Sequence, residues 1–236
     1  MLTLDHLAIW TEQRDRLTRR LSDLTGFPIL DGFAPEGRPV ARGVRFVDGA
    51  FVDLHQVGDG QPAGQVLLGL RGEVDAVEAL ALRQGWGVRV GRWAEATDGS
   101  PWSILSFRRG QGILTQLFVI EYGPRPQAWA SPVFDQPLYD PVNAAPQGAA
   151  LRRVWLRTAD PRASGAILEA LGFVAAGQIA SRLEPGVGRL FRGAAGDLVL
   201  TLGADEAVIR FDLDGPAPPS CEPITERLRL VVGDTP

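Results

Sequence analysis

The residues in this chain best suited to chemistry sit on segments that read as strands. His6 lies within Leu4-Asp5-His6-Leu7-Ala8-Ile9, and Asp53 lies within Phe51-Val52-Asp53-Leu54-His55. Apolar and β-branched residues recur there at every second position, bounded by Gly or Asp clusters. Alternate side chains of a strand share a face, so His6 points with Leu4, Ala8 and Trp10, and Asp53 with Phe51 and His55. If the two strands pair with those faces aligned, an imidazole and a carboxylate meet over one apolar surface. That pairing suits a divalent metal or a proton transfer. His55 is either a substitute ligand or a residue of the pocket rim. Glu121 stands on a third such segment, facing with Leu117 and Val119. A carboxylate among these residues is costly unless it is paired or bound, and it is a candidate general base. Trp10, Trp93 and Trp102 are candidates for the walls of a pocket, against core packing as the ordinary fate of strand tryptophans. No serine has the strand–turn–helix setting that a Ser/His/Asp site needs.

The elements that must position these groups recur along the chain. Residues 12–24 carry Leu17, Leu21 and Leu24 at helical spacing, with Thr11 as the expected N-cap and Gly26 as the C-terminal glycine. Residues 28–37 read as irregular. A strand follows over 40–47, and Asp48-Gly49 turns the chain into the strand that holds Asp53. The same order of strand, helix and strands returns at 66–122, with the helix over 74–84. Residues 123–149 are a Pro-, Gln- and Ala-rich connection containing Trp129, Phe134 and Tyr139, read as a belt packed on the body, with Trp129 or Phe134 covering the pocket mouth. A third copy opens at Leu151, its helix begun by Asp160-Pro161. Strands at 207–213 and 227–232 close the chain as a fourth unit without a helix. The expected organisation is a paired unit at 1–125, a connecting belt at 126–147 and a degenerate pair at 148–234.

Composition narrows the function. Hydrophobic residues are 45% and charged residues 22% of 236, enough apolar content for a core in one large domain or two small ones. A net charge of −4 and scattered arginine pairs give no footprint for nucleic acid. The chain has no lysine, which excludes a Schiff-base or P-loop lysine. A single cysteine, Cys221, forbids an internal disulfide and any multi-cysteine zinc site. No basic-then-apolar leader and no run approaching ~20 apolar residues is present, so a cytoplasmic protein with no membrane partner is expected.

The order of the pieces resembles the vicinal-oxygen-chelate superfamily, which comprises glyoxalase, bleomycin-resistance and extradiol-dioxygenase proteins, with the closest likeness to glyoxalase-like domain proteins. The residues that carry it are Leu4-Asp5-His6-Leu7-Ala8-Ile9, the helix end Leu24-Thr25-Gly26-Phe27, the hairpin from Val44 to Leu54, Phe118 to Tyr122, Leu151 to Leu156, and Leu168 to Phe173. The resemblance covers most of residues 1–213. It implies an α+β fold of tandem βαβββ units paired into a half-open barrel. It also implies a divalent metal (Mn, Fe, Ni or Zn) held by His6, Asp53 and Glu121. The fourth ligand position falls on Val66, or on Gln65 after a one-residue slip, and valine cannot bind a metal. In the third unit the histidine position falls on Arg153. Two functions follow as alternatives. One is a metal-dependent lyase, isomerase or dioxygenase acting on a small oxygenated substrate, with Glu121 as ligand or proton carrier. The other is a metal-free, bleomycin-resistance-like protein that sequesters a small ligand. A monomer or homodimer is expected in either case.

Overall fold

A computed structural model describes residues 1–33, 39–58, 62–93, 101–123, 137–181, 183–184, 186–215 and 220–233. The first half contains β1 (Thr3–Thr11), α1 (Arg14–Thr25), β2 (Leu30–Phe33), β3 (Pro39–Arg45) and β4 (Phe51–Gln56). It continues with β5 (Val66–Arg71), α2 (Val74–Gln84), β6 (Val88–Gly91), β7 (Trp102–Phe107) and β8 (Leu117–Tyr122). The second half contains β9 (Ala150–Thr158), α3 (Pro161–Ala170), β10 (Val174–Ala180), β11 (Val187–Arg192) and β12 (Asp197–Leu202). It ends with β13 (Ala207–Asp214), β14 (Ser220–Pro223) and β15 (Arg229–Val232).

Local signals set the helix ends. Gly26 and Gly85 sit at φ of 73° and 69°, the left-handed geometry that glycine adopts without a steric penalty, and each stops its helix. Asp160 accepts from the backbone N–H groups of Arg162 and Ala163, with Pro161 behind it in the first turn. At α1 the cap differs from expectation. Gln13 occupies the cap position without a side-chain bond, and Thr11 instead accepts from the Gln13 N–H.

The first half forms an open eight-stranded sheet in the order β2-β3-β4-β1-β5-β8-β7-β6. The second forms a seven-stranded sheet, β10-β11-β12-β9-β13-β15-β14. Each joins two units through its centre, where β1 pairs antiparallel with β5 and β9 with β13. Within a unit the first and last strands are parallel, as in β1–β4 and β9–β12. The edge strand β2 falls within residues 28–37, which the sequence presents as irregular, and the edge strands β10 and β14 fall where no strand is expected.

One buried apolar cluster runs through both halves, including Leu7, Ile9, Leu54, Leu68 and Leu70 from the first and Leu156, Phe191, Leu198 and Phe211 from the second. Each such side chain taken fully out of water contributes about 1.5–3 kcal/mol. Ordering costs offset most of that gain, and the surplus anchors one face of each sheet. The opposite faces are where the halves differ.

Candidate functional site

A cavity of about 420 Å³ opens on the free face of the first sheet. Its walls are Trp10, Leu67, Trp102, Ile104, Phe118 and Ile120, and its polar groups include His6, Asp53, His55 and Tyr139. Strand β1 positions two of these through a register shift. Leu4 pairs with Leu70 and His6 with Gly69, so one residue of β1 is left over between them. This β-bulge overturns the simple alternation. Leu4 joins the main core with Leu7 and Ile9, while His6 faces the cavity with Ala8 and Trp10.

The bulge also sets Asp5 beside His6. Asp5 Oδ2 lies 2.7 Å from His6 Nδ1 and accepts from the Tyr122 hydroxyl at 2.7 Å. The His6 ring stacks on Phe51 at 4.4 Å and meets Phe118 edge-on at 5.0 Å. A Cβ at position 69 would stand 2.9 Å from His6 Nδ1 and 2.8 Å from the Phe118 ring, so the approach of both rings to β5 requires Gly69.

A second arrangement of the same kind lies on β4. Register pairs His6 with Phe51, Ala8 with Asp53 and Trp10 with His55. Asp53 Oδ2 lies 2.9 Å from His55 Nε2 and accepts from the Tyr139 hydroxyl at 3.0 Å. His55 in turn stacks on Trp10 at 5.0 Å. Burial alone would raise the Asp53 carboxyl, but the charge and hydrogen bond of His55, the charge of His6 and the Tyr139 hydroxyl outweigh it and hold it below the usual range. Burial pulls His55 down and Asp53 more than compensates, so the imidazole sits above its ordinary value. Burial and the Asp53 carboxylate push the Tyr139 phenol well up, which keeps it a donor.

Tyr139 comes from the belt. Its neighbour Leu138 is fully buried, donates its N–H to the Asp31 carbonyl and accepts from Arg45 through its own carbonyl at 2.9 Å. This short segment closes one side of the cavity, and Trp102 packs against Tyr139 at 5.1 Å. Trp129 and Phe134, expected over the mouth, lie outside the described residues. Trp93 packs at Gly123 and is not among the cavity's lining residues.

Glu121 requires correction. Phe118 and Ile120 face the cavity, so Leu117, Val119 and Glu121 face away from it. The Glu121 carboxylate accepts from the Val74 N–H at 2.8 Å, serving as a cap for α2, whose own cap residue, Glu73, offers no side-chain bond. Its face on β8 was legible, but both faces of that strand are apolar, so alternation cannot say which side holds the cavity. Val66 packs in the core and Gln65 lines the cavity. Arg153 lies 3.5 Å from Asp212 in the second half.

The donor set does not fit a chelated metal. His6 and Asp53 offer one donor atom each, Nε2 and Oδ1, because Nδ1 is committed to Asp5 and Oδ2 to His55 and Tyr139. Strands β5 and β8 of the second unit supply Leu67, Phe118 and Ile120, none of which can ligate. Among the described residues no three His, Cys, Asp or Glu side chains gather as a metal site requires.

Asp5, Tyr122 and Tyr139 are the site residues that sequence reasoning missed. Asp5 stood next to His6, but strict alternation turned it to the other face. Tyr139 carried only the signal of an aromatic in a long connection.

A hypothetical protein from Staphylococcus aureus superposes with a TM-score of 0.60 at 9% identity, covering 98% of this chain and 99% of its own. Homoprotocatechuate 2,3-dioxygenase from Arthrobacter globiformis gives 0.62 at 13% identity, covering 98% of this chain and 79% of its own. A catechol 2,3-dioxygenase gives 0.59 at 13%, covering 99% and 93%. No family model matches the chain, and no curated protein matches it in sequence. The fold is therefore of the vicinal-oxygen-chelate type, two sheets each joining two units, the last of which lacks a helix among the described residues. Two of the three are dioxygenases, and at 9–13% identity these likenesses show the fold alone and do not reach the closer likeness to glyoxalase-like proteins. No helix among the described residues is long and apolar enough to cross a membrane.

Proposed function

We propose that the chain is a metal-free small-molecule-binding protein whose ligand is flat, largely apolar and of roughly one or two rings. The observation that carries this reading is the lining of the cavity. Aromatic and aliphatic side chains occupy the positions on β5 and β8 where a chelating member of the fold needs donors, and two histidine–aspartate pairs supply a polar end. A concave apolar site with a few fixed polar groups is the ordinary form of a small-molecule pocket. Trp10 and Trp102 offer ring faces for stacking.

A divalent-metal lyase, isomerase or dioxygenase is the second reading, favoured by the activities named for the dioxygenase fold neighbours. It would rest on His6 Nε2 and Asp53 Oδ1 holding an ion, with its remaining positions filled by substrate or solvent. Elemental mass spectrometry of the purified protein, paired with a thermal-shift screen of planar aromatics in the presence of chelator, separates the two. The binding reading expects stabilising hits that survive chelation. Near-stoichiometric Mn, Fe, Ni or Zn that falls in both His6→Ala and Asp53→Ala would overturn it.

A further inference from the structure

The polar end of the cavity has a definite hydrogen-bonding polarity. Asp53 is 2% exposed. Its Oδ2 takes both available protein donors, His55 Nε2 and the Tyr139 hydroxyl. Its Oδ1 is buried and finds no hydrogen-bond partner among the described residues. A carboxylate is an acceptor only, so what Oδ1 lacks is a donor. Leaving such an oxygen dry and unpaired is costly, and a native structure seldom keeps one without a reason.

His6 points the same way. In the tautomer that donates from Nδ1 to the Asp5 carboxylate, the second ring nitrogen of His6, Nε2, is left to accept. The described lining contains no arginine, and the chain has no lysine, so among the described residues no permanently charged cation faces the cavity. Two acceptors and no fixed cation make a poor site for a carboxylate or phosphate and a good one for N–H groups.

We infer that the ligand is a planar aromatic molecule whose polar edge carries hydrogen-bond donors, such as an amine or amidine, and that this edge seats on Asp53 Oδ1 and His6 Nε2. This rests on the small-molecule reading of the cavity. The rings would lie among Trp10, Trp102 and Phe118, and the donor edge would replace the missing partner of Asp53. Selectivity then comes from rejection as much as attraction, since an acceptor edge would face two acceptors across a dry contact.

Three probes of matched shape test it, each titrated by ligand-observed NMR into chelator-treated protein. They are 2-naphthamidine with a donor edge, 2-naphthoate with an acceptor edge, and 2-methylnaphthalene with neither. The expected result is an amidine preference over naphthoate of about tenfold or more. Asp53→Asn keeps the side-chain shape and retains a carbonyl oxygen for Tyr139 and His55, while turning its amide toward the Oδ1 place. It should lower amidine affinity about tenfold, leave 2-methylnaphthalene unchanged and improve naphthoate. Equal binding of amidine and naphthoate, or an amidine preference that survives Asp53→Asn, would overturn the inference while 2-methylnaphthalene binding keeps the cavity reading intact. Failure of all three probes would overturn the cavity reading and this inference with it. A thermal melt of the variant shows that any loss is not unfolding.

Discussion

The two halves use one scaffold to opposite ends. Register makes the comparison position by position. On the free face of the first sheet, β1 presents His6, Ala8 and Trp10 opposite Phe51, Asp53 and His55 of β4. On the free face of the second, β9 presents Arg153, Trp155 and Arg157 opposite Asp197, Val199 and Thr201 of β12. Across the central seam, Gly69 and Leu67 face His6 and Ala8, whereas Asp212 and Arg210 face Arg153 and Trp155. Ala8 and Gly69 in one half thus correspond to Trp155 and Asp212 in the other. Small residues leave a hollow, and large ones fill it.

The filled half has large side chains where the other is hollow, and its central polar groups pair with one another, although Arg153 Nε and Glu206 Oε2 stay buried with no partner among the described residues. Trp155 is 1% exposed, donates to Asp212 at 2.9 Å and lies under the Arg210 guanidinium at 4.6 Å. Arg210 also bonds Asp212 and Ser181. The polar groups here pair with each other inside an apolar cluster of Val199, Ala207 and Ile209. In the hollow half, Asp53 retains an oxygen with no partner among the described residues. Duplicated units can therefore differ in filling, one face packed and the other left hollow.

The comparison can be broken most severely at Trp155. Trp155→Ala should cost about 3–5 kcal/mol, because it leaves a cavity and uncovers a buried arginine. Denaturant unfolding would measure this, and probe binding to the first half should survive below the transition. A loss under 1 kcal/mol would mean that the second face is not a packed counterpart. Gly69→Ala comes next. Its new Cβ would press on His6 and Phe118, and stability should fall by about 1–3 kcal/mol. Displaced His6 and Phe118 ring resonances in an NMR spectrum would report the clash, and an unchanged spectrum would refute it.

The smallest effect is electrostatic. His55 has a raised native value, so its contribution is full below about 6.5 and fades as pH climbs through that raised value. Asp53 has a lowered value, so its contribution is full above about 3.8 and is lost as pH falls through the lower native value. The pair therefore stabilises most between those limits. His55→Gln should remove about 1–2 kcal/mol in that window and flatten both flanks of the stability–pH curve. A variant curve parallel to that of the wild type would show that the pair is not coupled.

Much of this was legible in the residues, for reasons that also explain the rest. Leu17, Leu21 and Gly26 define α1, and Asp160-Pro161 starts α3, because caps and periodicity are local. His6, Asp53, His55, Trp10 and Trp102 fall on strands long enough for alternation to assign their faces, and all five line the cavity. Glu121 went to the wrong face because β8 is apolar on both sides. Asp5 was hidden by a bulge, which depends on pairing with β5 and leaves no mark in β1 alone. Tyr139 is separated from Asp53 by 86 positions, and nothing local announces that contact. Strands β2, β10 and β14 are edges, where Gly, Ala and Pro weaken any period.

The most direct test of the account asks whether the hollow is a binding site and the filling is what abolishes one. Ala8→Trp places in the first half the residue that its counterpart position holds in the second. Saturation-transfer NMR with 2-methylnaphthalene, on chelator-treated wild type and Ala8→Trp, compares them directly. The account predicts strong transfer in the wild type and none in a folded variant. Equal transfer in both, or transfer in the wild type only after a divalent metal is restored, would contradict it.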